Sequence, residues 1–205
     1  MTENDAPREA SAAGRRRNEQ TRQAILNAAD DLLMEKGFDG VTIEGIAARA
    51  GSGKQTIYRW WSSKTDVLLE SLLEDSDAEV EFLVTGDPRA DLETFLASLA
   101  AFNDSRPGGY VYRALLSQSL IDPEIAQAFL EGYQLKIRQR LREGVARVLL
   151  AEGDTGTARD DDRVSDLLDL LLGPLYFRQI IRNRAITPEF IRQIVHNTLA
   201  GLSDR

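Results

Sequence analysis

Lys54, Gln55, Thr56, Tyr58 and Arg59 stand in one short run, K-Q-T-I-Y-R, and each carries a group able to bond nucleic acid. Lysine donates to guanine acceptors, glutamine matches the donor–acceptor edge of adenine, and tyrosine can touch a thymine methyl. Hydroxyls and ammonium groups need only an anionic phosphate oxygen. Helical spacing sends Ile57 and Trp61 inward and leaves the polar set outward. Just upstream, Ile43, Ile46, Ala47 and Ala50 predict a first short helix, with Thr42 placed to cap its free backbone N–H groups. Gly51 suits the left-handed turn that closes it. Two short helices with a tight turn between them, the second polar, basic and aromatic, are what a helix-turn-helix presents to a DNA groove.

Other chemistries are poorly supplied. G-S-G-K-Q-T resembles a phosphate-binding loop, but that motif needs glycine at position 48 and Ser or Thr at 55, where the chain has Ala48 and Gln55. There is no cysteine and one histidine, so disulfides and thiolate sites are excluded and a histidine-based zinc site has too few ligands. No cofactor is expected. A helical-bundle enzyme would have to draw on Glu93, Asp104, Glu131, Tyr133 and His196, which form no acid–base, nucleophile or metal constellation. His196, among Ile194, Val195 and Leu199, reads as a core or interface histidine.

The stretch R-Q-A-I-L-N-A-A-D-D-L-L-M-E-K-G-F-D-G-V-T (Arg22 to Thr42), followed by I-A-A-R-A-G, T-I-Y-R-W-W and S-S-K-T-D-V-L, is similar to the DNA-binding region of the tetracycline-repressor (TetR/AcrR) family. The resemblance implies that Lys54, Gln55 and Tyr58 reach base edges, with Arg59 on the same face. Thr42, Thr56, Trp60 and Lys64 would hold phosphates, while Trp61 occupies a core aromatic position. Gly53 departs from the pattern: the family often has Ser or Thr there. Glycine is an acceptable cap, costing a few tenths of a kcal/mol, but it removes a hydroxyl contact to phosphate.

With 205 residues, 42% apolar and 28% charged, the chain is long enough for one or two cored domains. No run is long and apolar enough to span a bilayer and no signal peptide is evident, so a soluble, cytoplasmic protein is expected. The formal net charge of −8 looks wrong for a DNA binder until it is divided. Residues 1–64 carry 10 Lys/Arg against 9 Asp/Glu, whereas residues 65–205 carry 15 against 24. Such asymmetry suggests a nucleic-acid-facing end and a body that is not, although acidic bodies are also ordinary solvation.

The expected fold is all-α. Residues 1–17 read as a disordered basic arm ending in Arg15, Arg16 and Arg17, able to meet a minor groove or to remain a solvated tail. Residues 18–64 read as the helix-turn-helix domain and 65–205 as a helical regulatory and dimerisation domain. A first helix is predicted from about Asn18 to Lys36, and a connector from Ser63 to about Val84. Lys64 sits oddly at the connector's start, where the helix dipole favours acids. A helix should begin at Asp87-Pro88, another span Tyr110 to Leu120, and Asp122-Pro123-Glu124 should open a third. Gly153 to Asp162 reads as an exposed loop. No segment alternates at period two.

Val164 to Ile181 is apolar around too much of its circumference for a one-sided surface helix, and Pro174 should kink it. With the final helix, from Pro188 to Leu202, it supplies apolar surface that the same chain or a second subunit must cover. In the resembled family these two helices pair with their copies as a four-helix bundle. The resemblance therefore implies a homodimer, with Leu171, Leu175, Ile191 and Val195 among the contacts. An aromatic-rich set in the preceding helices, Phe82, Phe95, Leu99, Phe102, Tyr110, Phe129 and Tyr133 with polar Asn103, Arg113 and Gln118, is either ordinary core or the wall of an apolar effector cavity. The resemblance favours the cavity and a small-molecule effector. The partners expected are thus palindromic double-stranded DNA, a second copy and an effector. A DNA-binding dimer without an effector stands as the alternative.

Overall fold

The computed structural model describes residues 6–81 and 83–200, and every element among them is helical. Phe82, Leu202 and the side chain of Arg15 lie outside the described residues. The chain divides into two compact units, Met1–Leu72 and Leu73–Arg205.

In the first unit α1 (Ala6–Gly40) begins well inside the stretch that the sequence suggests is disordered. Ala, Arg, Glu and Gln dominate it, all strong helix formers, and Pro7 fits a first helical turn. Gly37, at φ +70°, interrupts the helical backbone where the sequence stops it. Three further elements follow: α2 (Ile43–Arg49), α3 (Lys54–Tyr58) and α4 (Lys64–Glu79). The α4 start is a reciprocal cap: Asp66 accepts from the Ser62 and Ser63 N–H groups, and Ser63 Oγ accepts from the Asp66 N–H at 3.2 Å. Asp66 also supplies the first-turn acid that the helix dipole favours. The first unit extends to Leu72 because the beginning of α4 packs into it, with Val67, Leu68 and Leu72 fully buried. Ser71 donates to the buried Asp30 of α1 at 2.6 Å.

The second unit holds α5 (Pro88–Asp104), α6 (Gly108–Ser119) and a long helix interrupted by a π turn. That helix consists of α7 (Pro123–Phe129), the turn Leu130–Gln134 and α8 (Leu135–Ala151). Asp87 and Asp122 cap α5 and α7 as their D-P signals predict. The expected loop after Gly153 instead contains α9 (Thr155–Ala158), capped by Asp154 at 2.9 Å, with Thr157 buried. A single capped turn is too short to leave a hydrophobic period. Next comes α10 (Asp161–Tyr176), which contains Pro174 and passes directly into a second π turn, Phe177–Ile181; α11 (Pro188–Ala200) ends the described chain. The core is built from Leu92, Phe95, Leu96, Leu99 and Phe102 of α5 together with the inner faces of α6, α8, α10 and α11. Each fully buried Phe or Leu contributes about 1.5–3 kcal/mol.

The α5–α6 corner is the tightest point. A Cβ on Gly109 would lie 2.4 Å from the Phe102 carbonyl oxygen and 2.5 Å from that of Asn103, both fixed backbone atoms. Gly109→Ala should therefore destabilise by about 1–3 kcal/mol, read as a lower urea midpoint at unchanged slope.

Candidate nucleic-acid interface

Thr42 has an extended backbone, and its Oγ1 accepts from the Gly45 N–H at 3.0 Å, so its hydroxyl hydrogen remains available to a phosphate. Bidentate bonds from Arg49 to Glu35, at 2.8 and 2.6 Å, fasten α2 to α1. Gly51 takes φ +62°, a conformation that any side chain would strain, and directs the chain into α3. Gly53 caps α3 with no side-chain bond. Its Cβ position is open, so serine would fit there.

Ile57 is fully buried on the inner face of α3, with Trp61 enclosed just beyond it. The Trp61 indole N–H donates to Glu70 Oε2 at 2.6 Å, and Arg22 Nε donates to the other Glu70 oxygen at 2.6 Å. Lys54, Gln55, Tyr58 and Arg59 are exposed, and Thr56 and Trp60 are half-buried. Trp60 meets Trp61 edge to face at 5.3 Å, and the Arg59 guanidinium lies 5.1 Å over the Trp60 ring.

Two of the cations already have partners. Lys54 Nζ pairs with Glu44 at 3.0 Å; the bond holds the Glu44 carboxyl below its usual range and raises the lysine. Lys64 Nζ donates to the Phe38 carbonyl at 2.7 Å and sits 4.2 Å over the Phe38 ring, with burial pushing its pKa down. At a helix start, where the sequence leaves its placement unexplained, it thus has an internal partner. Carbonyl capping by a residue 26 positions away in the sequence leaves no local signal.

In the second unit the expected effector residues separate into two groups. Phe129 and Tyr133 stack at 5.7 Å, and Tyr112 closes on both at 5.8 and 5.7 Å. Burial pushes the Tyr112 and Tyr133 phenols well up, so they stay neutral. Phe95, Leu99 and Phe102 are likewise buried in α5. Tyr110 is half-buried beneath the Arg106 guanidinium at 5.5 Å, and Gln118, also half-buried, lies in the last turn of α6. Asn103 and Arg113 instead line a pocket of about 320 Å³ with Asp104, Gln179, Ile180 and Asn183.

Leu171, Leu175, Ile191 and Val195, the expected subunit contacts, are each at most 3% exposed, enclosed by their own chain. The face left open carries Leu170 and Phe177, each 57% exposed, and Ile181 at 71%. Leu170 and Pro174 form a groove of about 440 Å³ with Phe190, Gln193, Ile194, Asn197 and Thr198. The seven-residue interval from Leu170 to Phe177 marks one helix face and could have been read from the sequence. His196 is exposed, not buried.

A capped short helix, a glycine turn and a five-residue helix with its polar side chains outward place the chain among helix-turn-helix DNA-binding proteins. Comparison with known proteins goes further. Residues 25–71 match the family described as "Bacterial regulatory proteins, tetR family", and residues 84–198 match "Tetracyclin repressor-like, C-terminal domain". The HTH-type transcriptional regulator YdeS of Bacillus subtilis (strain 168) is 34% identical over 196 residues, covering 94% of each chain. AqdR of Rhodococcus erythropolis is 29% identical over 75% of this chain and 71% of its own. The crystal structure of the TetR family transcription regulator SCO0332 superposes with a TM-score of 0.69 at 30% identity, covering 89% of this chain and 98% of that one. FrrA, a flavonoid-responsive regulator, shares the fold with a TM-score of 0.62 at 20% identity, covering 89% of this chain and 95% of that one. The chain belongs to the tetR family: it is a DNA-binding transcriptional regulator and not an enzyme. Among the described residues no helix is long and apolar enough to cross a membrane.

Freeing Lys54 should strengthen binding. An exposed pair contributes about 0.2–1 kcal/mol, so Glu44→Gln should tighten DNA binding up to about fivefold. Fluorescence anisotropy at fixed salt measures this; unchanged or weaker binding would show that Lys54 does not have to leave Glu44.

Proposed function

We propose that the protein is a homodimeric repressor of the cytoplasm that binds a palindromic operator and releases it when a small-molecule effector binds. The observation carrying this reading is the outer face of α3, where Lys54, Gln55, Tyr58 and Arg59 stand free of the core. Lys54, Gln55 and Tyr58 read base edges, while Thr42, Thr56 and Trp60 hold phosphates. Lys64 acts one step back, fixing the corner at Phe38. One five-residue helix reads too few base pairs, so a second copy is needed, with its recognition helix one DNA turn away, ~34–36 Å. Two-fold protein symmetry then requires a two-fold operator. Repression follows the family's habit and not a particular residue.

The second copy is proposed to cover Leu170, Phe177 and Ile181, and Gly173 helps because nothing lies within 4 Å of its Cβ position. Small residues let helices approach closely. Effector binding in the second unit would favour one position of α4, which runs without a break from Lys64 to Glu79, and so alter the spacing of the two recognition helices. Each tenfold loss of operator affinity needs about 1.4 kcal/mol of differential binding. The fold is one on which a flavonoid-responsive regulator is built.

Selection of bound sequences from random DNA tests the reading. A palindromic consensus is expected. Gln55→Ala should change it at one position per half-site, costing about 1–3 kcal/mol against the preferred base. An unchanged consensus removes the base-reading role. In sedimentation, Leu170→Glu should give monomers that bind operator weakly, because a buried unpaired carboxylate is costly. Leu170→Glu protein that stays dimeric would place the subunit contact elsewhere.

A further inference from the structure

We propose that the pocket between the end of α5, α6 and the second π turn is the effector site. We infer that its ligand is a small organic monocarboxylate that also carries an O–H or N–H donor. The proposal rests on the ligand response proposed above and adds the ligand's chemistry and its route to the dimer face.

The hydrogen-bond pattern of two buried carboxamides fixes what the pocket offers. Gln179, on the π turn, donates through Nε2 to the Ala100 carbonyl at 2.7 Å, which leaves its Oε1 directed at Asn103. Asn103 must then present Nδ2 to that oxygen, at 3.5 Å; the opposite orientation would set two oxygens against each other. Asn103 Oδ1 is left with no hydrogen-bond partner, on a residue only 2% exposed. A buried acceptor in this condition accounts for a donor on the ligand.

Arg113 lines the same pocket and donates from one nitrogen to the Asn103 carbonyl. A guanidinium has five N–H donors, and its planar fork suits a carboxylate. Asp104 on the rim disfavours a second negative charge, so a monoanion is the fit. Ile180 offers an apolar wall. The volume of about 320 Å³ is at the small end for a ligand pocket.

Gln179 and Ile180 belong to the π turn that also carries Phe177 and Ile181, the exposed residues of the proposed subunit face. A ligand held by Gln179 therefore acts on the turn that shapes that face. Single π turns recur at functional sites, and an i→i+5 turn could exchange with the α-helical register beside it. Binding one register better shifts the population of dimer geometries.

The test uses the full-length protein with four probes: para-hydroxybenzoate and para-aminobenzoate, benzoate without the donor, and para-hydroxybenzamide without the carboxylate. Calorimetry should show the first two binding at least about tenfold more tightly than either control. Arg113→Gln and Asn103→Leu should each remove that preference, and the two ligands should change the dimer dissociation constant in sedimentation. Arg113→Gln alone suffices if Asn103→Leu does not fold. Benzoate binding as tightly as para-hydroxybenzoate would overturn the donor assignment. Binding unaffected by Arg113→Gln would overturn the pocket, as would an unchanged dimer constant its link to the face. If none of the four binds at millimolar concentration but another compound releases operator, the ligand class is wrong and the ligand response survives. If no compound in a broad screen releases operator, the response itself falls.

Discussion

The Glu70 carboxylate, on α4, accepts the Trp61 indole N–H and the Arg22 guanidinium, each at 2.6 Å, and so joins α4 to α1 and to the residues just beyond α3. The five residues of α3 cannot be helical on their own, since helices shorter than roughly 12–15 residues are marginal in water. Its capping glycine adds no side-chain bond. The recognition helix is therefore maintained from outside: by Ile57 in the core, by Trp61 on Glu70 and by the turn at Gly51. A strained or loosened α3 would misdirect four outward side chains together, because all of them ride on little more than one helical turn.

The cations around α3 divide by burial. Lys54 and Glu44 are both exposed, and a pair of that kind contributes little, so a guanine or a phosphate can take the carboxylate's place. Lys64 is partly desolvated against a carbonyl and an aromatic ring, and hydrogen bonds to charged groups are worth about 1.5–3 kcal/mol. Exchanging that bond for a phosphate gains little. The same residue type is therefore held by a displaceable surface pair at one end of the motif and acts as a brace at the other.

This division explains what the sequence could and could not reveal. Local rules carried the helix-turn-helix: Thr42 as cap, Gly51 in the left-handed region, Ile57 and Trp61 inward. The D-P starts of α5 and α7 held for the same reason, since a cap satisfies N–H groups only a few residues away. Relations across the chain were hidden. Nothing near Lys64 announces Phe38, and nothing near Leu171 says whether its own chain or a copy covers it. The helix from Val164 to Ile181 does read as apolar almost all round. Which side faces inward depends on α8 and α11, and the side enclosed by the chain was the one assigned to the partner. The aromatics of α5 to α8 are ambiguous as cavity markers because large rings are also what a close-packed core uses best. Buried carboxamides are the better marker of a polar pocket, since each must find partners, yet Gln179 is inconspicuous in a run of apolar residues.

The charge distribution bears on how much of the recognition α3 must perform. Residues 65–205 carry nine more acids than bases, so most of the molecule repels DNA. At physiological salt the Debye length is about 8 Å, and a body held farther than that from the duplex costs specific binding little. It does penalise orientations that bring the body closer. Non-specific binding draws almost entirely on neutralised phosphates, and residues 1–64 hold a surplus of only one base over their acids. So small a surplus limits what phosphate neutralisation by residues 1–64 can contribute, and places more of the demand on the outward side chains of α3.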